Sequence, residues 1–490
     1  MPGNGDAQVT LRSRRWVTIA ICAAPIALCI AVYWPGIFAW FQMDDFWWLS
    51  RLGAAGRDGF WQTLLTRPGH GTYRPLSEPA FFMTFEYLFG PRPLPIRIFV
   101  FATQFANLLL LGSLARRLYG SQLAALIAPI VWLAHTSLAG PLVWSSSYNQ
   151  ILGATFLLAE LSLFARFVDT GRRSAWVAEW LLFIVGFGVI ETNLAHPIHA
   201  IAWVLCVAPS DRRRALLRRT IPLMAASAVY AVAHLVLVPR VGPYTMGGHL
   251  VPMLKSAYGY WMWTVIPMQL IFEGAQAVHH VIACAAFACL ATYTLWRVRS
   301  GDRRPLLGWV FYLATLAPYL PLVQQRTPSY LSIPSIGLGL IAADAIVALR
   351  VRRAALVGAV LITAVYLRFM LPTAHATVRL SAQDTHAVER VVGGILDLRR
   401  TRTEPILIDG VSETVYNAGL AMSPFRCLGV PDVYLTDNAI EELHALPGVA
   451  PPSEYAANPA DVARWRWAHT LLVLSARGDR LVDITGVWQP

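Results

Sequence analysis

Long apolar runs recur along most of this chain, and they show no polar stripe. LLFIVGFGVI (181–190), VIACAAFACLATYTLW (281–296) and AALVGAVLITAVYL (354–367) are examples. A helix on the surface of a soluble domain keeps one polar face. Runs approaching 20 apolar residues instead suit a helix that crosses roughly 30 Å of hydrocarbon. The pattern predicts about eleven spans, near 16–39, 96–115, 121–139, 149–167, 176–191, 193–208, 220–238, 277–296, 306–323, 330–349 and 354–372. The first run is too long for the apolar region of a signal peptide and has no convincing cleavage site, so it reads as the first span.

Arginine placement orders these spans, because short cytoplasmic loops collect Lys and Arg. With the basic Arg12–Arg15 flank inside, the inner connections carry Arg116 and Arg117, then Arg172 and Arg173, then Arg212, Arg213, Arg214, Arg218 and Arg219. Arg297, Arg299, Arg303 and Arg304 follow, and finally Arg350, Arg352 and Arg353. Every second loop is basic. Counting Tyr258–Phe272 as a span would break this alternation, and its Tyr and Trp content suits an interfacial or re-entrant segment. The expected topology has the N-terminus inside a cytoplasmic (inner) membrane, with the 40–95 loop and the 373–490 tail outside.

Composition agrees with this reading. The chain is 56% hydrophobic and 14% charged, against about 25% charged in soluble domains. The net charge of +12 does not point to nucleic acid, because the arginines lie in short clusters between apolar runs. Lys255 is the single lysine. The cysteines are scattered, without metal-site spacing. The tail differs in kind: ILDLRR, EPILIDG, PDVYLTD and TLLVLSARGDRLVDITG read as helix and short strands with turns between them. The expected fold is an all-α polytopic membrane module over 1–372, with a small α+β outer domain over 373–490.

Candidate chemistry gathers at the outer edge. Met43-Asp44-Asp45-Phe46-Trp47-Trp48 follows the first span directly. Adjacent carboxylates beside hydrocarbon are costly and so suggest function, although the pair could simply end a helix on its wet side. His70-Gly71-Thr72-Tyr73-Arg74-Pro75-Leu76-Ser77-Glu78-Pro79 places a histidine, an arginine and a carboxylate close together on a proline-stiffened backbone. The arginine fork suits phosphate oxygens; pairing with Glu78 or lipid headgroups is the plainer reading. Glu191 ends two apolar spans without an adjacent basic residue, and Arg326 breaks the positive-inside pattern. His135, His196, His199 and His249 are further polar positions of ordinary structural type.

Displacement at a sugar's anomeric carbon needs a carboxylate to take the acceptor hydroxyl's proton. It also needs a cation, arginine or bound metal, for the departing phosphate. Asp44 or Asp45 as base, with Arg74 or Arg326 on phosphate, supplies these parts. The same residues resemble the GT-C superfamily of polyprenyl-phosphate-sugar-dependent glycosyltransferases, particularly its protein O-mannosyltransferase-like members. The acidic pair after the first span matches Asp44-Asp45-Phe46, and a Tyr/Trp-Arg-Pro-Leu motif matches Tyr73-Arg74-Pro75-Leu76. A Trp-Ser segment matches Val143-Trp144-Ser145-Ser146-Ser147-Tyr148-Asn149. A Lys-Glu pair retains only its glutamate, as Ile190-Glu191, and an Arg-x-x-Tyr-Leu element is echoed from Arg326 through Tyr330 and Leu331 to Ser335.

The resemblance covers about residues 15–350 and implies a multi-pass membrane enzyme. Its implied partners are a polyprenyl-phosphate sugar donor, membrane lipids and an acceptor that is a lipid, glycan or protein. It implies Asp44 as general base and Asp45 as supporting acid or metal ligand. Arg74 and Arg326 would then bind donor phosphate, with His70, Tyr73, Glu78, Glu191 and Tyr330 in support. A divalent cation is compatible with the acidic pair but not required by it. Two other readings stay open: a transporter or flippase of a lipid-linked substrate, and a non-catalytic membrane assembly protein.

Overall fold

The computed structural model describes residues 4–55, 59–65, 72–239, 245–247, 249–271, 274–446, 452–477 and 480–488. Every expected span is helical. The first is α1 (Asn4–Tyr33), extended by a 3-10 turn at Trp34–Phe38. The loop that follows holds α2 (Asp44–Ala55), α3 (Phe60–Leu65) and α4 (Pro79–Phe89). Then come α5 (Pro93–Tyr119), α6 (Gln122–Ala134), the short α7 (Ala139–Val143), α8 (Tyr148–Thr170) and α9 (Arg173–Gly186). The series continues with α10 (His196–Cys206), α11 (Arg213–Leu237), α12 (Leu250–Val265) and α13 (Gln276–Arg299). It closes with α14 (Arg304–Leu316), α15 (Ser335–Ala348) and α16 (Arg353–Leu398).

Among the described residues, six helical segments are long and apolar enough to cross a bilayer: 16–38, α5, 145–170, α11, α13 and α16. The α6–α7 pair, bent by 65° at a short break, makes a seventh if taken as one span. This is a multi-pass membrane protein. The other expected spans are the shorter helices α9, α10, α14 and α15. The ambiguous 258–272 segment supplies the end of α12 and then breaks at Pro267 into a 3-10 turn. Helix ends follow local chemistry: α8 stops at Gly171, whose φ of +67° closes the last turn in the left-handed region that glycine enters freely.

Polar side chains join the helices where lipid offers no hydrogen-bond partner. Asn107 of α5 donates to the Ile151 carbonyl at 2.9 Å and accepts from Thr155 at 2.7 Å. Trp132 donates to the Ser332 carbonyl at 2.7 Å, and Tyr119 to that of Leu340 at 3.0 Å. At the basic end, Arg297 pairs with Asp344 at 3.1 Å and shares Asp302 with Arg304. Helices α15 and α6 approach closely: a Cβ on Gly339 would lie 2.5 Å from the Ala128 carbonyl oxygen. Gly339→Ala is therefore expected to force the two helices apart and to cost about 1–3 kcal/mol, measured as a lower melting temperature in detergent.

The long helix α16 runs unbroken through the boundary expected near residue 372 and on into the tail. There, β1 (Ile406–Asp409), β2 (Val433–Leu435), β3 (Leu472–Ser475) and β4 (Val482–Asp483) form one sheet in the order β2-β1-β3-β4. Helices α17 (Glu413–Ala418), α18 (Pro424–Cys427), α19 (Asp437–His444) and α20 (Pro459–Trp467) fall between the strands. β1 is therefore parallel to both its neighbours, and only β4 is antiparallel. Strand alternation sends Ile406 and Ile408 into a core shared with Val391, Val392 and Ile395 of α16. Leu407 and Val473 pack on the other face with Val462 and Trp465 of α20.

Candidate functional site

The adjacent acids Asp44 and Asp45 open α2, where the first free N–H groups of a helix favour negative charge. Their surroundings differ. Asp45 is fully buried; its Oδ1 accepts from the Ser146 amide at 2.8 Å and the Ser146 hydroxyl at 2.7 Å, and its Oδ2 from the Gln42 amide at 3.2 Å. Arg97 of α5, also fully buried, lies 3.9 Å from Oδ2. Burial pushes the Asp45 carboxyl up to about 6, opposed by Arg97 and by the Ser146 and Gln42 hydrogen bonds. Asp44 is half-buried. The residue before it, Met43, has a φ of +48°, a region most side chains avoid. Its N–H donates to the Ala418 carbonyl at 2.8 Å, so the end of α17 holds the backbone that leads into the acidic pair.

The Arg-Pro-Leu-Ser motif is fastened to the turn before Glu191. Leu76 N–H donates to the Gly188 carbonyl at 2.9 Å, and the Ser77 hydroxyl to that of Val189 at 2.6 Å. This brings Arg74 onto Glu191: Nε lies 3.1 and 2.9 Å from its two oxygens, and Nη2 lies 2.7 Å from Oε2. Arg74 Nη1 reaches Glu78 at 3.2 Å. Burial pushes Glu78 up to about 7, with Arg74 opposing this and Glu191 adding to it. Burial acts the same way on Glu191, but the Arg74 guanidinium outweighs it and holds that carboxyl below its usual value.

The start of α8 joins the two acidic regions. Ser146 holds Asp45, and Asn149 donates to the Ser146 carbonyl at 3.2 Å and reaches Glu78 at 3.5 Å. Gln150 donates to the Tyr319 hydroxyl at 3.1 Å, which lies 2.8 Å from the Thr192 hydroxyl beside Glu191. Tyr330 stacks on Tyr319 with centroids 4.1 Å apart. One polar network thus runs from Asp45 through the Ser146–Gln150 segment to Arg74, Glu78, Glu191 and Tyr319.

Other expected positions fall elsewhere. Arg326 is exposed, beside Gly259 of α12, and among the described residues no carboxylate pairs with it. Tyr73 reaches the Leu64 carbonyl at 3.5 Å, away from the Arg74 cluster. His70 lies outside the described residues. His135 accepts from the Ser137 amide at 3.1 Å, His199 stacks on Phe311, and His196 contacts Glu179 at 2.9 Å. Among the described residues, no three His, Cys, Asp or Glu side chains are grouped to hold a metal ion.

Sequence reading passed over Gln150 and Tyr319. Gln150 had a signal, since it is one of several polar residues that open an apolar helix; Tyr319 had none. Glu160 and Glu179, single glutamates inside apolar runs, were legible and were also passed over.

No protein-family model and no curated protein matches the chain. Among solved structures it is similar to the crystal structure of ArnT from Cupriavidus metallidurans bound to undecaprenyl phosphate. The identity is 13%, the match covers 94% of this chain and 93% of that one, and the TM-score is 0.44. A likeness at this level assigns neither an activity nor a residue.

Proposed function

We propose that this protein is a membrane glycosyltransferase that moves a sugar from a polyprenyl-phosphate donor to an acceptor at the outer face of the cytoplasmic membrane. The observation that carries the reading is the network itself. Segments around residues 45, 74–78, 146–150, 191–192 and 319–330 are far apart in the chain, yet they meet through side-chain contacts at one place. The alternation of basic and non-basic connections supports placing that side, with the tail, outside.

Asp44 acts as general base. It takes the proton of the acceptor hydroxyl as that oxygen bonds to the anomeric carbon. The bond from that carbon to the phosphate oxygen breaks, and the electron pair leaves with polyprenyl phosphate. Asp45, with every oxygen engaged, anchors the loop rather than moving protons. Arg74 is held by two carboxylates but keeps one N–H on each terminal nitrogen for a phosphate oxygen. Arg326, exposed and unpaired among the described residues, supplies a second cation. A divalent metal at Asp44 would add charge stabilisation at the same phosphate.

The test is turnover of a panel of short-chain polyprenyl-phosphate monosaccharides by the purified protein, read as release of polyprenyl phosphate. Release from one donor, made faster by the correct acceptor, is the expected result. No release from any donor, with cell-derived acceptors and divalent cations supplied, would leave transport or assembly as the better reading.

A further inference from the structure

Three ionisable side chains that the proposed reaction does not use meet within the apolar helices. Glu160 lies midway along α8, Glu179 on α9 and His196 at the start of α10, and all three are fully buried. His196 Nε2 is 2.9 Å from Glu179 Oε1, and Nδ1 is 3.5 Å from Glu160 Oε2. Among the described residues, no group meets hydrogen-bond geometry with either Glu160 oxygen, Glu179 Oε2, His196 Nδ1 or Asn193 Oδ1, all of them buried, and Asn193 is the nearest amide to Glu160. Among the described residues no arginine or lysine pairs with either glutamate.

The groups facing Glu160 are Glu179 from α9, His196 from α10 and Asn193 from the turn before it. From α5, Asn107 reaches α8 at Ile151 and Thr155. On the far side of His199, α14 presents the Phe311 ring. Arg219 of α11 sits over the ring of Phe167, two turns along α8, and that of Trp176 on α9.

Charge counting limits the protonation states. Without added protons the trio carries two negative charges. One proton, on the imidazole, still leaves a net negative charge away from water, which a low-dielectric interior strongly disfavours. Two protons make the trio neutral, and however they are shared, at least one rests on a carboxyl. The imidazole lies nearer Glu179, at 2.9 Å, than Glu160, at 3.5 Å, so a charge on the ring would be balanced first by Glu179. Glu160, farther from the imidazole at 3.5 Å, is then the acid left to hold a proton.

We propose that Glu160, His196 and Glu179 form an intramembrane proton-holding site, with Glu160 carrying the proton, and that its neutrality seats the 191–195 turn. The link to that turn is covalent and short: Glu191–Ala195 is a 3-10 turn that runs directly into His196, and Glu191 is the partner of Arg74. Loss of the Glu160 proton would leave the trio negative, draw in water and displace the end of α10 that carries this turn. This second half rests on the glycosyltransferase reading; the proton site does not.

The experiment is infrared spectroscopy of the full chain in lipid at alkaline pH, following the hydrogen–deuterium-sensitive carbonyl stretch of a protonated carboxylic acid. Wild type is expected to show the band and Glu160→Gln to lose it. His196→Gln should enlarge it, since both glutamates must then be protonated. No band in wild type, or the same band in Glu160→Gln, would overturn the proton site. In turnover assays, the alkaline fall of wild-type activity should follow loss of the band, and Glu160→Gln should remove that fall. An unchanged alkaline fall in Glu160→Gln would overturn the coupling to Glu191. The infrared result needs no turnover, so failure of the donor assay and failure of the proton site are separate outcomes.

Discussion

Asp44→Asn is expected to reduce turnover on the order of 10³-fold, the usual scale for losing a positioned general base, with little change in melting temperature. Asp45→Asn should do nearly the reverse, with stability as its first loss. Asp44 is half-buried and opens α2, and an amide there keeps the size of the side chain while removing the proton acceptor. The Asp45 carboxylate is encircled by the Ser146 amide and hydroxyl, the Gln42 amide and Arg97. An amide turns donor against donor at one of these contacts. The loss comes from that mismatched contact more than from the charge, since Arg97 stands 3.9 Å away.

The pH dependence separates the two variants further. Burial raises the Asp45 value in the folded protein from the ordinary 3.8 to about 6. The folded state therefore binds that proton more tightly than the unfolded chain does. The stability it contributes is fully present below the ordinary aspartate value and is lost as pH rises through about 6, on the order of 3 kcal/mol in all. Wild type should thus melt lower at neutral than at mildly acid pH, and Asp45→Asn should lose that part of the slope. Melting curves across this interval, with turnover at one pH, check both statements. Equal activity in Asp44→Asn and wild type would remove this carboxylate from the mechanism.

Arg74→Ala is expected to be the most damaging single change in the network, costing about 3–5 kcal/mol of stability and all measurable turnover. It strands Glu78 and Glu191 beside one another with no cation between them. Arg74→Lys should recover part of the stability, because an ammonium restores the charge. It should recover little turnover, because one nitrogen cannot hold Glu191 at two points, reach Glu78 and still present an N–H to phosphate. The triple variant Arg74→Ala, Glu78→Gln, Glu191→Gln discriminates structure from chemistry. Removing the stranded charges should bring its melting temperature back toward wild type while turnover stays absent. Turnover in the triple variant would show that Arg74 only balances charge and takes no part with phosphate.

What the sequence determined by itself was the membrane character and the approximate place of the apolar helices. Hydrocarbon permits a spanning chain only when its backbone bonds are satisfied within the segment, so each helix is written locally as an apolar run bounded by polar residues or glycine. The tail was legible for the same local reason: strands such as ILID at 406–409 and LVLS at 472–475 sit between turn residues. Order along the chain also placed Asp44, Arg74, Glu191 and Tyr330 at the ends of apolar segments. Only tertiary structure decided which acid of the pair is enclosed, because that depends on where Ser146 and Arg97 lie, 101 and 52 residues away. The same holds for Arg74 and Glu191, separated by 117 residues, and for Glu160, Glu179 and His196 on three different helices. A side chain's partner across a helix interface is set by how the helices pack, and hydropathy along the chain does not record packing.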